Sequence, residues 1–590
     1  MVVLGISAFF HDAAAALVVD GEVVAAAQEE RFSRIKNDAS LPVEAARFCL
    51  ETAGITIADV DHVVFYEKPL RKFERILVGH LRAFPRSLAQ FSRSMTKWLE
   101  QRLWTKSDLV RALGCAPERV LFCDHHLSHA ASAFLCSPFQ SAAVVTVDGV
   151  GEWATTSIYR ARTGPQGSSI ELLKELRFPH SIGLLYSAIT AYLGFEVNEG
   201  EYKVMGLAAY GEDRHADAFA RLCRIGDDAS LEIDTRYFSY HRHPTRSFTP
   251  LLEELLGPAR RPGADLDPLA VDSESRRYAD IAASLQAFTE RYLLALAREA
   301  HRLTGETRLC LAGGVALNCV ANRRIADEGP FEELFVQPAA GDAGGALGAA
   351  LWATHVVHGL PRGAPLRSAF LGAAYAPADI ARFLDDCGIA HRAFDDHGTL
   401  CDEVARRLDD GEVGGWFQGR FEWGPRALGG RSILADARQP GMREKVNRKI
   451  KFREGFRPFA PAVLAAEASR WFDLPRGRAD HLTPFMCSVA PVTEEGRARL
   501  PATTHVDGTA RVQRVDEAES PGFHALLEAF RARTGVGVLL NTSMNLKDEP
   551  LCASPAEAYG VFVRSDLDFL VLERCLVDKR SLQRATEATR

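Results

Sequence analysis

The sequence contains no CxxC pair, no low-complexity tract and no apolar run of the ~18 residues that a membrane span requires. Its twelve cysteines are scattered, and Cys49, Cys310 and Cys319 sit in apolar surroundings. That excludes a disulfide scaffold and a zinc ribbon and fits a reducing cytoplasm. The opening stretch from Met1 to Leu17 is interrupted by His11 and Asp12 and has no basic n-region, so neither a signal peptide nor a membrane anchor is expected. No Walker loop and no GxGxxG turn occurs. Excess charge of one sign is also missing. Lys and Arg number 70 against 77 Asp and Glu, a net −7 with a pI near 6.2, which gives no general attraction to nucleic acid. What is present is 590 residues, 47% of them apolar, enough for roughly four domains at ~150 residues each or for fewer, larger α/β units.

The first 35 residues read as a hairpin: VVLGIS, a turn at FFHD, AAAALVVD, a turn at Gly21, then EVVAAAQEE. A helical PVEAARFCLETAG and a strand HVVFYE follow. The plan recurs as AAVVTVD, a glycine-rich turn, a strand around ATTSIYR and a helical SIGLLYSAITAYLGF. Two such halves facing a cleft describe the architecture shared by actin, sugar kinases and chaperone ATPases. Gly, Pro and charge concentrate in GLPRGAPLR, which places a domain boundary near residue 365. The expected domains are therefore 1–365 and 366–590. From Trp416 to Pro458 eight Arg and three Lys meet only four acids, a local excess that needs an explanation.

Three sets of residues have chemical character. His125 and His129 stand one helical turn apart in DHHLSHAASAF, and Asp148 and Asp342 follow the strands AAVVTV and ELFVQP. Strand ends are where ligand sites of α/β sheets gather. Two His and two Asp suit an open-sided divalent ion, iron(II) or manganese rather than closed zinc. The alternative is a pair of core histidines satisfied by hydrogen bonds, and His126 is read as a spare. Glycine-rich turns at 147–156, 311–318 and 341–348, with Gly149, Gly151, Gly313, Gly314 and Asn318, have the character of nucleotide contacts or, equally, of tight packing. In the second half Arg420, Arg431, Arg457, Arg511 and Lys451 can neutralise a triphosphate, with Asn541 and Ser543 supplying neutral hydrogen bonds. A basic face interleaved with Phe417, Phe421, Trp423 and Phe456 is the competing, RNA-binding explanation. His11 and Lys36 flank the first hairpin, as a possible base and anion holder. The run from Glu67 to Lys106, with ten basic residues and three acidic ones, reads as an amphipathic helical cap.

Taken together, LGISAFFHDAAAAL, QEERFSR, DHHLSHAASAF, EGEYKVMGLAAYG, GGVALN, GDAGGALGAA, WFQGRFEWGPRALGGRSIL, FRPFAPAVL, HVDGTARVQ and NTSMN resemble the NodU and cephalosporin carbamoyltransferase family over nearly the whole chain. The resemblance implies α/β and α+β domains. The N-terminal one is actin-like and similar to tRNA threonylcarbamoyl transferases, and the C-terminal one is similar to the YrdC fold. It further implies that the C-terminal site makes carbamoyl adenylate from carbamoyl phosphate and ATP with Mg²⁺. The N-terminal site, with iron, then passes the carbamoyl group to a hydroxyl of a small-molecule natural product. Carried onto this sequence, the metal ligands are His125, His129, Asp148 and Asp342, the base is His11 and the anion holder Lys36. The adenylate-forming residues are Arg431, Lys451, Arg457, Arg511, Asn541 and Ser543, with the register between Lys449 and Lys451 left open. Neither nucleic acid nor membrane is an expected partner, and the chain is expected to be a monomer or homodimer. The rival readings are a tRNA-modifying enzyme, the hydrogenase-maturation carbamoyltransferase and a non-catalytic nucleotide switch. The missing CxxC and the domain order count against the second.

Overall fold

The computed structural model describes residues 1–82, 84, 91, 92, 95, 96, 98, 99, 102–243, 245–269, 273–451, 453–475, 477, 478 and 480–580. The chain forms two compact units, one of Met1–Glu29 with Ala39–Leu366 and one of Glu30–Asp38 with Arg367–Arg590. The change of unit at Leu366 follows the Gly- and Pro-rich GLPRGAPLR. The excursion of Glu30–Asp38 into the second unit has no marker in composition.

The first unit carries the same sheet twice. In one, the antiparallel strands Glu22–Gln28, Ala14–Val19 and Val2–Ser7 are extended by the parallel strands His62–Phe65 and Val120–Phe122. In the other, Gly167–Arg177, Ala154–Gly164 and Ser141–Val147 are antiparallel, and Arg308–Ala312 and Glu333–Val336 continue in parallel. The strand order is identical, so the duplication suggested by the two hairpins is a duplication of topology. Gly167–Arg177 was not legible as a strand, because its GSSIELLKELR has one largely solvated face and no clean alternation.

Helix packing next to these sheets explains much of the glycine. The Asp342–Trp352 helix lies between the Val2–Ser7 strand and the His125–Phe134 helix. A Cβ on Gly5 would sit 1.9 Å from the Ala346 carbonyl oxygen, and one on Gly348 1.8 Å from that of Ser128. Gly5 and Gly348 therefore let backbones touch. This close approach holds the amino end of the Asp342–Trp352 helix against the His125–Phe134 helix.

The second unit is built on an eight-stranded mixed sheet. Its order is Arg392–Ala393, Cys575–Asp578, Phe569–Leu572, Gly414–Phe417, Arg431–Asp436, Val538–Ser543, Ala460–Leu464 and Gln513–Val515. The His397–Asp409 and Pro521–Thr534 helices bury Leu400, Val404, Leu408, Leu526 and Phe530 with Trp416 and Leu434. A separate core gathers Ile380 and Leu384 of one helix and Val561 and Phe562 of another around Phe417, Ile433 and Leu540. Phe417, Phe421, Trp423 and Phe456 are all buried. They are core residues and present no stacking surface for bases.

Of the expected cap at 67–106, the Pro69–Arg82 helix is described, with Phe84, Phe91 and Trp98, and the Thr105–Leu113 helix begins at its end. Residues 83, 85–90, 93, 94, 97, 100 and 101 lie outside the described residues. No helix among the described residues is long and apolar enough to cross a membrane.

Candidate functional site

The site in the first unit starts from the His125–Phe134 helix, which opens where the Val120–Phe122 strand ends. A spacing of four residues puts His125 and His129 on one face, and their Nε2 atoms stand 3.2 Å apart. Asp148, just beyond the Ser141–Val147 strand, brings Oδ2 to 3.1 Å from His125 Nε2. Asp342, the first residue of its helix, places Oδ1 3.7 Å from both imidazoles. One ligand atom from each of the four lies within 4.8 Å of the others.

This set fits a divalent cation. The Nδ1 atoms of both histidines are buried without a hydrogen-bond partner among the described residues. With Nδ1 carrying the ring proton, both Nε2 lone pairs face the same place as the two carboxylates, a donor set that suits a divalent cation. Burial disfavours charge on His125, yet Asp148 and Asp342 outweigh it and raise its pKa to about 9. Burial likewise opposes ionisation of Asp148 and Asp342, and the neighbouring histidines still hold both below the usual carboxylate range. His126 is different. It hydrogen-bonds Thr146 Oγ1 at 2.7 Å and Ser157 Oγ at 3.3 Å, and burial and the two flanking histidines push it down to about 3. It is a core histidine, bonded through Nδ1, with a buried Nε2 that has no partner among the described residues.

A second tier, to which the sequence assigned no positioning role, fixes these side chains. The Tyr66 hydroxyl donates to Asp342 Oδ2 at 3.2 Å. The Gly314 N–H donates to Asp148 Oδ1 at 3.0 Å. Glu152 Oε1 accepts from the backbone N–H groups of Lys68 at 2.7 Å and His125 at 3.0 Å, tying the start of the histidine helix to the end of the His62–Phe65 strand. Glu152 is close to Asp148 in sequence, and its role depends on a backbone N–H 27 residues away.

The remaining candidates of this unit separate by role. His11 lies in the turn between the first two strands, flanked by Phe9 at φ 79 and Asp12 at φ 52. Its Nδ1 is 3.0 Å from Asp12 Oδ2. Burial lowers its pKa, but Asp342, Asp12 and Asp148 prevail and raise it to about 10. His11 thus feels both carboxylates of the cluster. Gly151 leaves room for the histidine rings, since a Cβ there would come 3.0 Å from His125 and His126. Gly313, at φ 90, approaches the Val147 carbonyl so closely that a Cβ would lie 2.2 Å from its oxygen. Gly149 meets only Leu184, at 3.7 Å. Asn318 caps the Cys319–Glu328 helix by accepting from Ala321 N–H, and it exchanges hydrogen bonds with Gln286.

In the second unit the basic candidates are divided between framework and cluster. Arg431 is fully buried with its ring-like guanidinium 3.5 Å from the Phe417 centroid. Its Nη1 donates to the carbonyls of Gln418, Gly419 and Gly430, and Nη2 to that of Ala373. Arg420 likewise donates to the carbonyls of Leu371 and Gly372. Both hold the loop around residues 418–430 in place. Glu422 closes the same loop by accepting from the N–H groups of Leu428, Gly430 and Arg431. Asn541 donates to the Ala427 carbonyl and to Gln513.

Lys451 occupies a different setting. It is 5% exposed, and its ammonium donates to the backbone carbonyls of Ser543 and Asn545 and to Asn545 Oδ1 at 2.6 Å, with Ser543 Oγ at 3.3 Å. Burial and the nearby Arg453, Arg457 and Lys36 hold its pKa well below the ordinary lysine value. Lys36, expected as an anion holder flanking the first hairpin, belongs to this cluster in the second unit. Its segment is pinned there by Arg34, whose guanidinium donates to the carbonyls of Pro550 and Leu551, and by Arg31, which donates to that of Gly424. Arg511 has a buried Nε and lies in the loop before Gln513–Val515. Asn545 and Arg453 join the cluster without having been candidates.

Known proteins resemble the chain over nearly its whole length. Residues 2–351 match the family model for the carbamoyltransferase N-terminus and residues 405–579 that for its C-terminus. Nodulation protein NolNO of Sinorhizobium fredii is 39% identical over 97% of this chain and 80% of its own. An uncharacterized protein of Synechocystis is 44% identical over 98% of this chain and 96% of its own. The 3'-hydroxymethylcephem-O-carbamoyltransferase of Amycolatopsis lactamdurans is 36% identical over 46% of this chain and 48% of its own. A transferase class is thereby defined. The chain belongs to the carbamoyltransferase family.

Proposed function

We propose that the enzyme is an ATP-dependent O-carbamoyltransferase acting in two stages on a small-molecule natural product. The observation that carries this reading is the division of chemistry between the units. A His–His–Asp–Asp cluster stands in the first, and a cluster of Lys36, Lys451, Arg453 and Arg457 in the second. The second unit, taken as YrdC-like, uses ATP with Mg²⁺ and carbamoyl phosphate to form carbamoyl adenylate, releasing phosphate and pyrophosphate. These four basic side chains, Lys451 buried and the others half-buried, stabilise the charge that develops between the phosphates. Lys451, Arg457, Arg511 and Ser543 are the residues assigned to that step, while Arg431, Arg420 and Asn541 maintain the loop above it. The adenylate has a better leaving group than carbamoyl phosphate, together with an adenosine handle for binding energy.

In the first unit the acceptor hydroxyl attacks the carbamoyl carbon, its proton passes to His11 and AMP departs. Asp12 fixes the His11 ring so that the other nitrogen is offered to the acceptor. Gly149, Gly151, Gly313 and Gly314 supply the close backbone surface for the nucleotide part. His125, His129, Asp148 and Asp342 would hold an ion, iron(II) or manganese by donor type, which would supply Lewis-acid polarisation of the carbamoyl carbonyl and would offset the charge that otherwise keeps His11 protonated. Purified protein given ATP and carbamoyl phosphate without an acceptor is expected to release pyrophosphate and yield carbamoyl adenylate by mass. Absence of both from folded, metal-loaded protein contradicts the first stage.

A further inference from the structure

One group of charges beside the first site is not used by this chemistry. Arg75, on the Pro69–Arg82 helix, is only 8% exposed, and its guanidinium stacks 5.3 Å from the Phe178 ring. No hydrogen bond or ion pair joins it to another described residue. Arg102 lies 4.5 Å over the Phe9 ring, and its Nη1 is buried without a partner among the described residues. Lys72 completes the group, 5.6 Å from the Phe10 ring.

The acids nearby pair with Lys72 and with backbone, and none among the described residues pairs with either guanidinium. Glu67 is already paired with Lys72 at 2.6 Å. Glu152 is committed to the N–H groups of Lys68 and His125, and Asp124 to Lys68 and Arg71. Burial lowers the pKa of Arg75 to about 10 and lowers that of Arg102, with Glu67, Glu152 and Tyr66 opposing among the described residues. A buried guanidinium without hydrogen bonds is strongly unfavourable unless an anion completes it. The group also has a definite address. Phe9 and Phe10 directly precede His11, the Phe10 and His11 rings are 4.6 Å apart, and Tyr66 and Glu67 link Asp342 to Lys72.

We propose that Arg75 and Arg102, with Lys72, form the anion-binding part of the acceptor pocket. The acceptor alcohol then carries a carboxylate or phosphate-type group next to apolar or aromatic surface. This rests on the carbamoyl-transfer reading of the first unit, which it extends to the class of acceptor. The guanidiniums hold the anion bidentately, Phe9, Phe10 and Phe178 cover the body, and the hydroxyl is left towards His11.

Titration calorimetry on the full-length protein tests this with benzoate and phenyl phosphate as probes, benzyl alcohol as the neutral match and AMP as the competing source of a phosphate. The anionic probes are expected to bind at least tenfold more tightly than benzyl alcohol. Arg75→Gln and Arg102→Gln are each expected to weaken them by about tenfold, the size of one charge-assisted hydrogen bond, with AMP affinity unchanged. Arg75→Lys should recover part of the loss. Arg102 is the more exposed of the two, so Arg102→Gln carries the test if Arg75→Gln melts early. Equal binding of neutral and anionic probes, or insensitivity to both substitutions, overturns the proposal. A loss of AMP affinity instead assigns the cations to the nucleotide. Pyrophosphate release on the same samples reports the parent reading independently: its absence with probe discrimination intact refutes carbamoyl adenylate formation and not the anion pocket.

Discussion

His125, His129, Asp148 and Asp342 are held by a few hydrogen bonds whose removal has separable effects. Glu152 is a buried carboxylate whose two backbone partners repay part of its desolvation, so Glu152→Gln keeps the shape and weakens both bonds. The expected result is a loss of about tenfold to a hundredfold in affinity for iron(II) or manganese, measured by metal titration, with little change in melting temperature. His11→Gln is expected to abolish transfer and leave pyrophosphate release unchanged, and a fall in both would remove His11 from the role of base. At this scale the sequence was informative where chemistry follows local spacing. An i, i+4 histidine pair and two strand-end aspartates converge because helix pitch and sheet topology make them do so. It was uninformative where a side chain acts on backbone. Arg431 in a glycine-rich loop looks like a phosphate ligand, and in the structure four carbonyl contacts engage its guanidinium. Arg431→Ala therefore leaves those carbonyls without donors in a buried loop, and is expected to act by destabilising the second unit.

The elements show the same division. Hairpins were legible because alternation and turn residues are local, and so was the repeat of strand and helix. The route of Glu30–Asp38 into the second unit was not, since it depends on Arg31 and Arg34 meeting carbonyls nearly four to five hundred residues further along the chain. Lys36 changed units with it. The helix contact at Gly348 gives an element-scale prediction. Gly348→Val forces the Asp342–Trp352 and His125–Phe134 helices apart, since even a Cβ would fall 1.8 Å from the Ser128 carbonyl oxygen. Metal affinity and stability are expected to fall together, the latter by roughly 2 kcal/mol or more on denaturant titration. Glu403, on the His397–Asp409 helix, sets a pH dependence. Hydrogen bonds from Arg406, with help from Arg407, hold its pKa down to about 2 against the opposing effect of burial. A lowered carboxylate pKa stabilises the fold above the unfolded value of 4.5, and that contribution disappears as pH falls through about 2. Glu403→Gln is expected to lower stability by about 1–2 kcal/mol at pH 7 after allowance for solvent screening, with the difference from wild type narrowing below pH 4.5. A constant difference across that range would show that Arg406 and Arg407 do not stabilise the ionised form.

For the whole molecule, the central claim is that two chemically distinct sites on one chain perform successive half-reactions. An unstable adenylate is better protected when both stages are carried by one polypeptide. The most direct measurement is pyrophosphate release, with mass detection of carbamoyl adenylate, compared between wild type, His125→Ala and Lys451→Ala under identical ATP and carbamoyl phosphate. His125→Ala is expected to make the adenylate at close to the wild-type rate, and Lys451→Ala to make it at least a hundredfold more slowly, since it removes a buried cation from the phosphate site. Equal loss in both variants, with each shown to be folded, would contradict the separation of the two sites.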